Sequence, residues 1–235
     1  MAAIGCDVVI VSNQTERLES VSSQLEAEFG IKAYYLYNDL ARTGAAQEVF
    51  DFCVEKGIEI SVLINNAGMF FFEEQTPENR AKGDSLRTLH IETPTRLTLL
   101  FGEEMKRCGC GYILNMSSMA AKIPAPGITL YSATKAYLRS FSKSMFFELK
   151  PYGVGVTAVC PGAVATPLYN LSEKYQRLAI RLGIMRTPRR LVKTALRALF
   201  RHRRCVTPGF INHIAPSVVN ALPHWLVDKI WRRVL

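Results

Sequence analysis

Short apolar runs alternate with stretches of helical period along most of this chain, and that alternation leaves few folds open. Asp7–Ser12, Ala33–Tyr37, Ser61–Ile64, Gly111–Ser118 and Val154–Val159 are apolar runs bounded by glycine or polar turns, as expected of parallel strands buried on both faces. Between the first two, Leu18, Val21, Leu25 and Phe29 recur every three to four residues, which gives the segment Thr15–Phe29 one apolar stripe. Gly44–Lys56 reads as the next helix and Ser85–Arg107 as a long one. A parallel connection has to cross over its sheet, so strands that alternate with helices specify a sheet covered on both faces. The expected fold is α/β: a doubly wound, mainly parallel sheet in a single domain over 1–235, without repeats, linkers or low-complexity tracts.

A chain of 235 residues has ample length to bury one core. No run of eighteen apolar residues marks a membrane-spanning helix, and the start Met1-Ala-Ala-Ile lacks the basic and apolar regions of a signal peptide. A cytoplasmic protein is expected. Cysteines at 6, 53, 108, 110, 160 and 205 and histidines at 90, 202, 213 and 224 show no metal-ligand spacing, so reduced thiols and no metal site are expected. The net charge of +9 is uneven: residues 1–170 carry 15 basic and 18 acidic side chains, and 171–235 carry 14 and 2. A basic C-terminal quarter fits an anionic partner, with membrane lipid, an acidic carrier protein, a phosphorylated substrate and nucleic acid all open at this point.

Tyr131-Ser-Ala-Thr-Lys135 carries the chemistry. On a helix its phenol and ammonium share a face, and a nearby cation lowers a phenol from its usual value of roughly 10 toward a useful proton donor or acceptor. Ser118 lies thirteen positions before Tyr131, at the carboxyl end of an apolar run, where open α/β sheets place ligands. With Asn65-Asn66-Ala67-Gly68 and Pro161-Gly162 in this order, the chain resembles the short-chain dehydrogenase/reductase family over essentially its whole length. The resemblance implies a Rossmann-like fold. It also implies hydride transfer between a nicotinamide cofactor and a carbonyl or secondary alcohol. In that reaction Tyr131 exchanges the proton, Lys135 holds the cofactor ribose and depresses the phenol, and Ser118 hydrogen-bonds the substrate oxygen.

The same resemblance assigns cofactor contacts to Ser12 and Asn13, to Asp39 and Leu40 near the adenine, to Asn66, Ala67 and Gly68, and to Pro161, Gly162 and Thr166 at the nicotinamide end. Read alone, Asp39 is a turn or helix cap, and Asn-Ala-Gly and Pro-Gly are turn signals. Neither Ser12 nor Asn13 is acidic, so nothing there selects the ribose hydroxyls of NAD. NADP therefore fits better, with NAD still open. Relatives open with a further strand and a glycine-rich turn, and Met1 aligns near the end of the helix that follows. The expectation is an N-terminally incomplete domain, with two ladders of unpaired backbone groups flanking the place of that strand.

His90 takes a position where relatives usually have asparagine. Pro94, four residues on, cannot donate a helical hydrogen bond to the His90 carbonyl. The imidazole could titrate near its usual value of roughly 6.5, or simply pack in a kink. By the resemblance, residues 168–185 correspond to a substrate lid; they mix Tyr169, Leu171, Tyr175, Leu178, Ile180 and Leu182 with cations, which fits an apolar substrate or packing of the lid on the body. The resemblance implies an acyl or sterol-like substrate. Thr187-Pro-Arg-Arg opens another helix in a basic amphipathic segment of about 186–235. At the end, Trp225, Leu226, Ile230, Trp231 and Val234 accompany Lys229, Arg232 and Arg233, a pattern that suits peripheral contact with a membrane or a tail packed on the body. The resemblance further implies a homodimer or homotetramer and no nucleic-acid partner. A non-catalytic, cofactor-binding or membrane-associated interaction protein is the alternative reading.

Overall fold

A computed structural model of the protein describes residues 1–123, 126–165 and 185–231. The order is β1 (Val8–Ser12), α1 (Thr15–Phe29), β2 (Ala33–Tyr37), α2 (Ala45–Glu55), β3 (Val62–Asn65) and α3 (Arg80–Arg87). A π-helical turn (Thr88–Glu92) leads into α4 (Thr93–Cys108), then β4 (Gly111–Met116), α5 (Thr129–Leu149) and β5 (Val154–Val159). The described chain continues with α6 (Pro188–Phe200), β6 (Cys205–Val206), α7 (Phe210–Asn220) and α8 (His224–Trp231).

Every strand pairing is parallel, so the doubly wound α/β fold stands. Hydrogen bonding nevertheless divides the strands into two sheets, β1-β2 and β3-β4-β5-β6. One edge of β1 and one edge of β3 face a common cleft instead of each other. This corrects the expectation that Asp7–Ser12 is buried on both faces: β1 is half-buried along its whole length. In contrast, β5 has a paired neighbour on each side and is buried at every residue.

The alternation of side chains across the sheet divides the core. Ile113 and Val156 face one layer with Val49 and Cys53 of α2, Leu97, Phe101 and Met105 of α4, and Met145, Phe146 and Leu149 of α5. Leu114 and Val159 face the other layer, against Leu191, Ala195 and Leu199 of α6. Thr187 caps α6 with its side chain, as its sequence suggested.

The long helix expected over Ser85–Arg107 is divided by an irregular turn next to Pro94, where the sequence allowed a kink. Proline at 94 has no N–H for the regular ladder, and the Thr93 N–H reaches back five residues to the Thr88 carbonyl. One extra residue is thereby accommodated in the turn that carries His90. The strand expected over Gly111–Ser118 stops at Met116, leaving Ser117 and Ser118 just beyond its carboxyl end. Among the described residues no helix is long and apolar enough to cross a membrane.

Candidate active site

α5 begins with an irregular turn and presents Tyr131 and Lys135 one helical turn apart. Lys135 is buried, and its Nζ donates to the Met116 carbonyl at 3.0 Å. That ammonium lies 5.7 Å from the centroid of the Tyr131 ring. Burial pushes Lys135 down to about 8. The Tyr131 ring meets Phe70 edge-on at 5.0 Å and His90 at 5.7 Å. A phenol packed among two rings and a desolvated ammonium is placed where its ionised form gains the most from the cation.

Ser118 ends the extended segment after β4 and caps a short helical turn, its Oγ accepting from the Ala120 N–H at 3.1 Å. A hydroxyl that already accepts keeps its proton to donate. The preceding hydroxyl, Ser117 Oγ, donates to the Lys135 carbonyl at 2.7 Å and so ties the strand end to α5.

His90 is buried and fully engaged. The Met69 N–H lies 3.1 Å from Nε2, so Nε2 accepts and the proton resides on Nδ1. Nδ1 lies 3.2 Å from Thr134 Oγ1, which in turn donates to the Tyr131 carbonyl at 2.9 Å. Desolvation, with the Lys135 cation adding to it, pushes His90 down to about 2. The expectation of a titration near neutrality is therefore corrected: the imidazole stays neutral and links the loop after β3 to the turn that bears Tyr131. Thr134, Ser117 and Phe70 were not singled out in the sequence, because only their spatial neighbours give them a role.

Asn65 anchors the same loop from below. Its Nδ2 donates to Asn115 Oδ1 at 2.7 Å, with Thr98 Oγ1 at 3.3 Å, and Asn115 Nδ2 donates to Ser142 Oγ at 2.9 Å. Strands β3 and β4 are thus fixed to α4 and α5 directly beneath the site. The motif made Asn65 visible in the sequence; its partners, up to 50 positions away, gave no local signal.

A cleft of about 870 Å³ runs between the facing edges of β1 and β3, lined by Val8, Val9 and Val11 on one side and by Val62–Asn65 on the other, and it takes in the loops at their carboxyl ends. Ser12, Asn13, Asp39, Leu40, Asn66, Ala67, Gly68, His90 and Lys135 all line it, so most of the anticipated cofactor residues converge there. A Cβ on Gly68 would press on His90 Nε2 at 3.0 Å and meet Lys135 Nζ in ordinary contact at 3.6 Å. Asp39 is exposed and its carboxylate accepts from the Ala41 N–H at 3.1 Å, the turn role its sequence also allowed. The more telling neighbour is Asn38, which is buried in the cleft wall with an Oδ1 that has no hydrogen-bond partner. A buried acceptor without a donor fits the exocyclic amine of an adenine. Asn38, with Ser12, Asn13 and the Asn66-Ala67-Gly68 loop at the carboxyl ends of β1 and β3, therefore fits the adenosine end of a nicotinamide dinucleotide, while Tyr131 and Ser118 lie outside this wall.

Pro161 and Gly162 lie beside this cleft and not in its wall. The Pro161 carbonyl accepts from the Met119 N–H at 2.7 Å. Gly162 packs so tightly against Asn212 that a Cβ would fall 2.3 Å from its Oδ1. Thr166 and the lid positions from 168 to 184 lie outside the described residues. Among the described residues no cluster of histidine, cysteine or acidic side chains could hold a metal ion.

The family model described as short chain dehydrogenase matches residues 1–176. Very-long-chain 3-oxoacyl-CoA reductase of Homo sapiens is 28% identical over 98% of this chain and 72% of its own length. 17-beta-hydroxysteroid dehydrogenase type 3 of Mus musculus is 30% identical over 72% of this chain and 55% of its own. Among solved structures, a short-chain dehydrogenase from Sphingobium yanoikuyae in complex with NADPH superposes with a TM-score of 0.77 at 27% identity, covering 95% of this chain and 89% of that one. A phenol and a buried ammonium one turn apart and a hydroxyl just beyond the end of β4 stand in a chain that the family model matches over three quarters of its length, and the chain belongs to the short-chain dehydrogenase family.

Proposed function

We propose that the protein is an NADP-dependent oxidoreductase that reduces a ketone on an apolar, acyl or sterol-like substrate, or oxidises the corresponding secondary alcohol. The observation that carries this reading is the desolvated Lys135 ammonium, fixed on the Met116 carbonyl and set 5.7 Å from the Tyr131 ring. When bound, the nicotinamide cofactor supplies or accepts the hydride. Tyr131 gives its proton to the carbonyl oxygen as charge develops there, and Lys135 stabilises the phenolate left behind. Ser118 donates its free O–H to the same oxygen. Asn38, Asn66 and Gly68 hold the adenosine and ribose portions, and Lys135 also reaches the ribose. Ser12 and Asn13 offer no carboxylate against a 2′-phosphate, which supports NADP over NAD. The apolar substrate class is supported by the relatives named above. Exposed Leu99 on α4 and Tyr137 on α5 lie on adjoining helix turns, where Tyr137 Oη is 3.0 Å from Thr95 Oγ1, and they support a homodimer or homotetramer through that face. A cytoplasmic site of action completes the reading.

The test is oxidation of NADPH with a panel of 3-oxoacyl thioesters and ketosteroids. Tyr131→Phe should lose about 100-fold or more in kcat while binding NADPH with unchanged affinity. Undiminished turnover in that variant would reject the assignment, and NADPH binding without turnover on any ketone would favour a non-catalytic binding protein.

A further inference from the structure

α7 is built with its polarity reversed. Its buried side consists of Asn212 and Pro216. Asn212 Nδ2 donates to the Pro208 carbonyl at 2.6 Å, and the helix end is tied down by Asn220 Nδ2 on the Lys122 carbonyl at 2.9 Å. The outer side carries Phe210, Ile211, Ile214 and Val218, which fall within one 100° sector of a helix. Phe210 is 79% exposed, and Trp225 at the start of α8 is 67% exposed. A rigidly anchored helix that buries an amide and shows a phenylalanine and three aliphatic side chains to solvent calls for something to cover it.

Charge decides among the candidates. Arg186 stands beside the entrance to α7, its Nε 3.2 Å from the place a Cβ on Gly209 would take. Arg189, Arg190 and Lys193 are exposed on α6, and Lys229 is exposed on α8. Ion pairs among the described residues are confined to positions 42–107, so these cations are not neutralised by acidic partners there. A second copy docking through the same face would bring two basic surfaces together, which like-charge repulsion opposes. An exposed apolar stripe, followed by a helix that shows Trp225 and Lys229 one turn apart, in a quarter of the chain with 14 basic and 2 acidic side chains, has a matching counterpart in a bilayer with anionic headgroups: the stripe enters the acyl boundary and the cations stay at the phosphates.

We propose that the outer face of α7, with Trp225, docks the protein onto an anionic lipid bilayer. The contact places the described residues on one side of the membrane and needs neither substrate nor cofactor, so its success or failure is separate from that of the hydride-transfer reading.

Co-sedimentation of the full chain with vesicles of phosphatidylcholine, with and without phosphatidylserine, tests it. Binding is expected only with phosphatidylserine and should fade as salt rises. Phe210→Ser/Ile214→Ser should weaken it by about tenfold or more while leaving the thermal unfolding midpoint and NADPH binding unchanged. Tryptophan occurs only at 225 and 231, and bromination of the lipid tails should quench this emission in the wild type and far less in the double variant. No binding to phosphatidylserine vesicles at low salt, or equal binding by the double variant, overturns the proposal. A concentration-dependent mass in light scattering that the double variant abolishes would assign the face to a second copy instead.

Discussion

Two buried groups at the site, His90 and Lys135, are both held below their usual values, so each makes stability rise with pH, in separate windows. His90 is held near 2 when folded, against roughly 6.5 when unfolded. Below 6.5 the unfolded chain takes up a proton that the folded one refuses, so stability declines as pH falls from 6.5 toward 2. His90→Asn should flatten that decline in urea titrations, and its activity profile should superimpose on the wild type near neutrality. A neutral step in activity that disappears in the variant would contradict the fixed Nδ1–H form. Lys135, pushed down to about 8, binds its proton in the unfolded chain up to roughly 10.5. Stability therefore rises with pH between about 8 and 10.5 and is flat just below 8. The same group should give kcat/KM an alkaline limb near 8, because loss of the ammonium removes the stabiliser of the phenolate. That Tyr131 and Lys135 share one helix face and that Ser118 follows the end of a strand was legible from spacing, while their roles came only from the family resemblance. The state of His90 was not, since it depends on the Met69 N–H and on Thr134, and a one-dimensional pattern shows neither.

Elements were legible where one physical preference governs them. α1, β2 and β5 occupy the anticipated spans, because apolar period and flanking glycines agree there. α4 departs at its start because proline removes a donor, and the chain answers with the π-helical turn that turns His90 inward. Pro94→Ala restores an N–H at this point; a lower kcat at unchanged unfolding free energy is the expected outcome, and equal activity would show that the turn is set by other contacts. Two glycines test a different preference. Gly57 closes α2 at φ +63 with nothing within 4 Å of a Cβ, whereas Gly153 leads into β5 at φ +75 with the Gly109 carbonyl oxygen 2.2 Å from that position. Gly57→Ala should cost about 1 kcal/mol from backbone conformation alone. Gly153→Ala should cost distinctly more, because a carbonyl fixed by the β4 turn cannot move aside. Urea midpoints that rank the two the other way would overturn this account. β6 and the reversed polarity of α7 escaped the sequence: two residues are too few to show a period, and an apolar helical stripe gives no sign of which side faces out.

At the scale of the molecule, the basic C-terminal quarter was visible as a count, whereas the apolar stripe of α7 was not, because only the fold turns Phe210 and Ile214 outward. Association through α4 and α5 is separable from that surface. Leu99→Glu should shift the protein toward monomer in light scattering and leave vesicle binding as it was; an unchanged mass would remove this face from the assembly. The division of the strands into two sheets has one more consequence, and it concerns time. In a parallel ladder successive amides point to opposite edges. The Val8 N–H bonds to Lys32 and the Tyr112 N–H to Ser61, so the amides of Val9, Val11, Val62 and Ile64 point into the cleft while their immediate neighbours are paired. Deuterium should therefore enter β1 and β3 with a two-residue beat, early at these four positions and late at Ile10 and Leu63. The doubly paired interior of β4 and β5 should fill last, on the timescale of global unfolding.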